Sequence, residues 1–294
     1  MTSAMTRLRS LTAFLFCLLP GVAAPQVMTA YLNHLSILPL EDPYCSPGTG
    51  RHLGRDPASL ELCTEVTVPA IPPATGTADA WRGVVDWVLI ELRETSGDVR
   101  TARRDTIIAR KPGFLLSNGR IVEAAHYARL ASVNPDQCSQ SPLAGDEHCP
   151  GIWFDGLTPA ENKNIHVVIR HRNHLDIISA QPITAGGAVA SVGVYAYDFS
   201  ASASSARNDI LKRWYGSPSN SEGFRFLPVA VMIAGDLDGN EFITQRVDYA
   251  VISNSAIGMI EYHVADINLN GTVHIEDFTN FVLNNLGLGS GIPF

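Results

Sequence analysis

Cysteine is scarce, five among 294 residues, and no Cys-x-x-Cys pair occurs. That argues against a zinc ribbon or a dithiol redox centre. Charge is scarce too, at 17%, and positive charge more so: 21 Lys and Arg stand against 29 Asp and Glu, net −8. A chain of that sign has no general means of gripping a phosphate backbone, so nucleic acid is not an expected partner. No Gly-x-Ser-x-Gly, His-Glu-x-x-His or phosphate-binding loop is present, which leaves hydrolases and nucleotide enzymes without their usual signatures. Long apolar runs are also missing. Residues 11–19 form an uncharged, mainly apolar stretch, well short of the roughly 20 residues that a bilayer crossing needs.

That stretch follows Arg7 and Arg9 and precedes Pro20-Gly21-Val22-Ala23-Ala24-Pro25, the layout of a secretory signal peptide. Cleavage is expected after Ala23, because a cut after Ala24 would put Pro25 next to the scissile bond. The mature product is then a secreted, extracellular or cell-surface protein with no membrane span. It loses two arginines, leaving 19 basic and 29 acidic residues, net −10. Cys17 departs with the leader. The other four form two local couples, Cys45 with Cys63 and Cys138 with Cys149, in intervals rich in Pro, Gly, Ser and Asp. Four cysteines allow three connectivities; the local one is favoured here, each bridge tying down a loop outside the reducing cytosol.

What is plentiful is apolar residues, at 46%, together with 24 Gly and 18 Pro. This mixture predicts short strands and many turns rather than long helices. Residues 87–92 and 165–169 read as buried central strands, being too apolar to be half exposed. Asn118-Gly119 between the apolar runs 114–116 and 121–122 predicts a hairpin. Further strands are expected at 27–33, 106–110, 176–180 and 188–197. The fold class that follows is mainly β, an Ig-like antiparallel β-sandwich over residues 24–200. A linker over 201–228 is expected to end in one short helix, on the helical spacing of Ile210, Leu211 and Trp214.

Composition changes beyond the linker. From Asp236 onward eight acidic residues face a single basic one, Arg246. Residues 266–277 supply side-chain oxygens at loop positions 1, 3, 5 and 12 (Asp266, Asn268, Asn270, Asp277), the Thr272 carbonyl at position 7 and Gly271 at position 6. Calcium takes about six to eight oxygens, and this spacing offers them in order. A second copy begins at Asp236, with Asp238 and Asn240 at positions 3 and 5. It departs twice: Glu241 replaces the position-6 Gly, at about 1 kcal/mol if it must adopt positive φ, and Asp248 falls at position 13. Either this loop bulges by one residue and binds, or it survives as packing. The bulged, weaker site is favoured, since three close oxygens without calcium would repel one another.

Four stretches in order, Ile37-Leu38-Pro39-Leu40-Glu41-Asp42-Pro43-Tyr44, Val85-Asp86-Trp87-Val88-Leu89-Ile90-Glu91-Leu92-Arg93, Val167-Val168-Ile169-Arg170-His171-Arg172-Asn173-His174-Leu175 and Asp198-Phe199, followed by the two acidic loops, resemble a family of secreted bacterial proteins. There a β-sandwich-like region precedes a dockerin-type tandem calcium tail, here residues 229–294. The tail itself resembles type I dockerins, modules that plug into cohesins. Positions 10 and 11, which help choose the cohesin in dockerins, are Gln245 and Arg246 in one loop and Ile275 and Glu276 in the other. They match neither each other nor the usual small hydroxyl residues.

Within the shared stretches, Asp86 and Glu91 are an odd number of residues apart and cannot flank one bond from a single strand. Structural roles are expected for both, Glu91 pairing with Arg170 or Arg172. His171 to His174 read as a hydrogen-bonded corner between strands. The function expected is a non-enzymatic calcium-binding structural protein of the cell surface, a homo-oligomer or filament subunit that donates the strand at residues 25–34. The alternative is a carbohydrate-binding or cohesin-docking module, with Trp153 as the candidate sugar platform.

Overall fold

The computed structural model describes residues 11–14, 32, 35–45, 66–68, 83–116, 119, 121–124, 151–154, 163–185, 194–197, 199, 205–207, 212–214, 229–253 and 257–293. It is mainly β. Its frame is one five-stranded antiparallel sheet in the order β4-β3-β2-β6-β7. The strands are β2 (Val84–Thr95), β3 (Ile107–Leu116), β4 (Ile121–Val122), β6 (Asn164–His171) and β7 (His174–Ile178). A four-stranded sheet in the order β5-β1-β9-β8 joins β5 (Ile152–Phe154), β1 (Leu11–Phe14), β9 (Val194–Ala196) and β8 (Thr184–Ala185).

Strand β2 is central because nearly all its residues are buried, and a strand covered on both faces must be apolar on both. Val88, Ile90 and Leu92 enter one cluster with Ile165, Val167 and Ile169. Trp87 and Leu89 enter another with Phe114, Tyr44 and Leu32, Trp87 lying 4.2 Å from the Phe114 ring. Further along β2 the second face turns polar, with Glu91 and Arg93 fully buried.

A hairpin forms around Gly119 as expected, pairing Phe114 with Val122 and Leu115 with Ile121, with Gly119 at φ 81°; Asn118 lies outside the described residues. Strand β3 runs on through Pro112-Gly113, where the sequence suggests a break. Its neighbour β4 pairs only with Phe114 and Leu115, so Pro112 withholds no N–H from that side. Gly113 is required by close approach: a Cβ there would lie 2.6 Å from Ile152 Cδ1.

Two expectations change. Lys212–Trp214 is not the end of a helix but a strand, β10, antiparallel to β11 (Val229–Val231). The β-branched partner segment supplies a ladder that three residues at helical spacing cannot outweigh. Of the expected strand 27–33 only Leu32 is described; it is helical and fully buried, and its carbonyl accepts from Ile37 N at 3.1 Å.

The C-terminal part holds α1 (Gln245–Ser253) and a second helical run made of α2 (Ile275–Asp277), a π-helical turn (Phe278–Val282) and α3 (Leu283–Asn285). Gly287 follows at φ 80° and ends the run. Packing crosses the compositional boundary near residue 229. Leu175 of β7 lies in the helical cluster with Ile233, Ile243 and Phe278, Leu269 joins the Trp87 cluster, and Ile292 packs with Val168 and Ile178. Among the described residues no helix is long and apolar enough to cross a membrane.

Candidate metal centre

The two acidic loops fold with the same wiring. In the second, Asp266 at position 1 accepts from Gly271 N at 2.9 Å and Asn270 N at 3.0 Å, Asn268 Oδ1 from Asn270 N at 3.0 Å, and Asn270 Oδ1 from Thr272 N at 2.9 Å. In the first, Asp236 Oδ2 accepts from Glu241 N at 2.9 Å, Asp238 Oδ1 from Asn240 N at 3.0 Å, and Asn240 Oδ1 from Phe242 N at 2.8 Å. These short polar side chains bond their own backbone two to five residues on, which curls each loop around its oxygens.

The closing aspartates match as well, although their spacing differs. Asp277 accepts from Ile267 N at 3.0 Å and from the N-cap His274 N at 2.8 Å. Asp248 accepts from Leu237 N at 2.8 Å and Thr244 N at 2.6 Å. Asp248, at position 13, therefore takes up the hydrogen bonds that Asp277 takes at position 12, by way of one extra residue at the start of α1. The position-6 residues both have positive φ, 85° at Gly271 and 68° at Glu241, a conformation that a side chain adopts only at a cost.

Asp236, Asp238 and Asp248 come together, one carboxylate oxygen from each lying within 4.8 Å of the others. This triad, buried at Asp236 and Asp248 and half-buried at Asp238, could hold a metal ion. Asp236 Oδ1 is buried and has no hydrogen-bond partner. Burial, the Asp176 charge and the neighbouring Asp248 and Asp238 push the Asp236 carboxyl up to about 9, against bonds from the backbone that pull it down. Burial is also the main cause lifting Asp266, to about 6, and Asp248. A cation at the triad would oppose the rise at Asp236 and Asp248 by supplying the missing positive charge. In the second loop the donors at positions 3 and 5 are the neutral Asn268 and Asn270, so fewer charges converge there.

Polar and charged residues of the sheet clasp this centre. The β6–β7 hairpin turns at Arg172-Asn173, a corner as expected. Asn173 O accepts from Gly235 N at 2.8 Å, just ahead of the first loop. The Asn173 amide donates to Val264 O at 3.1 Å and Asp266 O at 2.9 Å, at the start of the second. One residue thus holds both loops. Arg172 donates to the His263 carbonyl and to Asp86 Oδ2, the latter at 2.7 Å. Asp86 also accepts from Trp87 N at 2.7 Å and Tyr262 OH at 2.7 Å, and lies 3.1 Å from His171 Nε2. Burial would raise the Asp86 carboxyl, but Arg172 and His171 outweigh it and hold it well below the usual range.

Glu91 is paired as expected, with Arg170 at 2.8 Å, and also with Arg93 at 2.9 Å and Arg110 at 2.8 Å. Burial raises its carboxyl, yet the three guanidiniums hold it down at about 2. Arg170 also meets Asp176 and lies 3.6 Å from Glu241. Burial is the largest cause raising Asp176, to about 7, with Glu241 and Glu91 adding to it and Arg170 opposing. Sequence reading missed Glu241 as a structural charge and missed Arg93 and Arg110 as partners of Glu91. The signal was there in the two-residue period of Glu91 and Arg93, which puts both on one face.

Cys63, Cys138 and Cys149 lie outside the described residues, as does the Trp153 side chain; Cys45 is buried, its N–H donating to Asp42 Oδ1 at 2.6 Å. No family model matches the chain, and no curated protein or solved structure is significantly similar to it.

Proposed function

We propose that this is a secreted, non-enzymatic calcium-binding protein with a structural role at the cell surface, in which an Ig-like β-sandwich carries a dockerin-like tandem tail. The observation that carries the metal reading is Asp236 Oδ1, buried without a partner inside a triad of carboxylates. Burying such an oxygen is costly unless something positive meets it. Asp236, Asp238, Asp248, Asn240 and the carbonyl of Phe242 offer only oxygen, the donor set of a hard cation, and Asp266, Asn268, Asn270, Thr272 and Asp277 offer the same set in the second loop. The cystines Cys45–Cys63 and Cys138–Cys149 belong to the same reading.

The non-enzymatic reading rests on the titratable clusters of the sheet, whose carboxylates are taken up by internal partners. Assembly by strand donation is favoured by one feature of the topology. Leu11–Phe14 lies between β5 and β9, antiparallel to one and parallel to the other. Loss of a leader comprising residues 1–23 would leave both neighbours with unpaired edges, open to a strand from a second copy.

Calorimetric titration of the mature protein with calcium tests the first claim. Binding at both loops is expected, with stabilisation of about 2.7 kcal/mol at a hundredfold excess over Kd; no heat and no thermal shift would refute it. Light scattering with calcium tests assembly. A persistent monomer that retains on insoluble glycan or on a cohesin would favour the carbohydrate-binding or docking alternative.

A further inference from the structure

Glu241 occupies a position where the second loop has glycine, and the reason lies outside the loop. Its N–H is held by Asp236 Oδ2 at 2.9 Å. Its carbonyl accepts from Ser290 N at 2.8 Å, and Oε2 accepts from Ser290 Oγ at 3.0 Å. Oε1 accepts from Arg104 at 3.3 Å and faces Arg170. The next residue, Phe242, whose carbonyl stands at loop position 7, is bridged to Gly289, so closely that a Cβ on Gly289 would meet the ring at 2.6 Å.

Residues 289–293 form a strap running from this loop across the charged face of the sheet. Ile292 is buried against Ala102, Val168 and Ile178, and the Pro293 carbonyl accepts from Arg93 at 3.1 Å. The strap is therefore fastened at one end by the sheet and at the other by two consecutive residues of the first loop. The second loop has no side chain at this position: Gly271 stands there, and a Cβ on it would meet Leu35 Cδ1 at 2.5 Å.

We propose that Glu241 is a positioning residue that couples metal binding at the first loop to docking of the strap at residues 289–293. The inference rests on the metal reading above. Without a cation, the three converging carboxylates repel and the loop relaxes, and Asp236 no longer fixes the Glu241 N–H. The left-handed conformation of Glu241 then loses its support, and with it go both acceptors of Ser290. Linkage makes the effect reciprocal: a docked strap raises the metal affinity of this loop by the factor by which metal favours docking.

The test uses the full mature chain, with calcium as the only probe. Calorimetry reads binding, and hydrogen exchange reads the amides of Ser290 and Ile292. In the wild type, calcium slows their exchange about tenfold, within the usual range for coupling between sites. Glu241→Gly, which tolerates positive φ, still binds calcium, but its strap amides exchange faster and respond much less. Asp238→Asn, at a partly exposed ligand of the first loop, abolishes the response. A wild type that binds calcium with no change at the strap, or a full response surviving in either variant, overturns the coupling. Absence of calcium binding would overturn the metal reading beneath it.

Discussion

At the scale of single residues the molecule is organised by charges that have left water. Glu91 serves three guanidiniums with no exposure of its own. Replacing a buried partner strands the rest, which typically costs about 3–5 kcal/mol, so Glu91→Gln should lower the urea midpoint by a corresponding amount. A change within 1 kcal/mol would mean that water reaches the arginines. The same group sets an acid limit. Its folded pKa, about 2, is depressed below the ordinary 4.5; the stability it contributes is complete above about 4.5 and is lost as pH falls toward 2. Asp86 acts in the same direction. Stability measured from pH 6 to 2 should fall mainly below 4.5, and Glu91→Gln should flatten that fall. Asp176 has the opposite sign: raised from 3.8 to about 7, it contributes fully below about 3.8, and that contribution is lost progressively as pH rises to about 7.

At the scale of elements, the two loops differ in how many charges they gather. Burial and the neighbouring carboxylates raise the Asp236 carboxyl, so its charge is opposed by its surroundings until a cation meets it. Asp236→Asn removes that charge, and should leave metal-free stability no lower than that of the wild type while removing most of the calcium-dependent gain at the first loop. Thermal shifts with and without calcium separate the two terms, and a large loss in chelator would refute the assignment. The spacing of the sequence expects Asp266→Ala to be the more damaging of Asp266→Ala and Asp236→Ala, and the same titration ranks them. Much of this level was legible beforehand. Strand β2 is an unbroken apolar run, and the 118–119 hairpin has its turn chemistry written in Asn-Gly. Lys212–Trp214 was not legible, because three apolar residues at helical spacing fit a strand as well once Val229–Val231 is there to pair with it. Glu241 reads as a flaw in a loop until Ser290 and Arg170, far along the chain, are brought beside it.

At the scale of the whole molecule, the tail is distinct in composition and continuous in packing. Leu175, Leu269 and Ile292 each sit in a cluster that spans both parts. Cooperative units follow shared cores rather than composition. Composition alone predicts that the tail melts first on chelation; the shared clusters instead predict that chelation lowers the temperature of one calorimetric transition. Two resolved transitions, with residues 229–294 cleaved by protease while the sheet stays intact, would mean that the clusters do not couple the parts. The clasp at Asn173 has a consequence measured in time. Its amide nitrogen donates to the carbonyls of Val264 and Asp266, so hydrolysis of that amide during storage would set a carboxylate against two carbonyl oxygens. Shelf life would then be governed by one slow chemical lesion in a hairpin remote in sequence from either loop. Peptide mass mapping of aged samples should find aspartate at 173 enriched in the fraction that has lost calcium binding, and an even distribution between fractions would dismiss the idea.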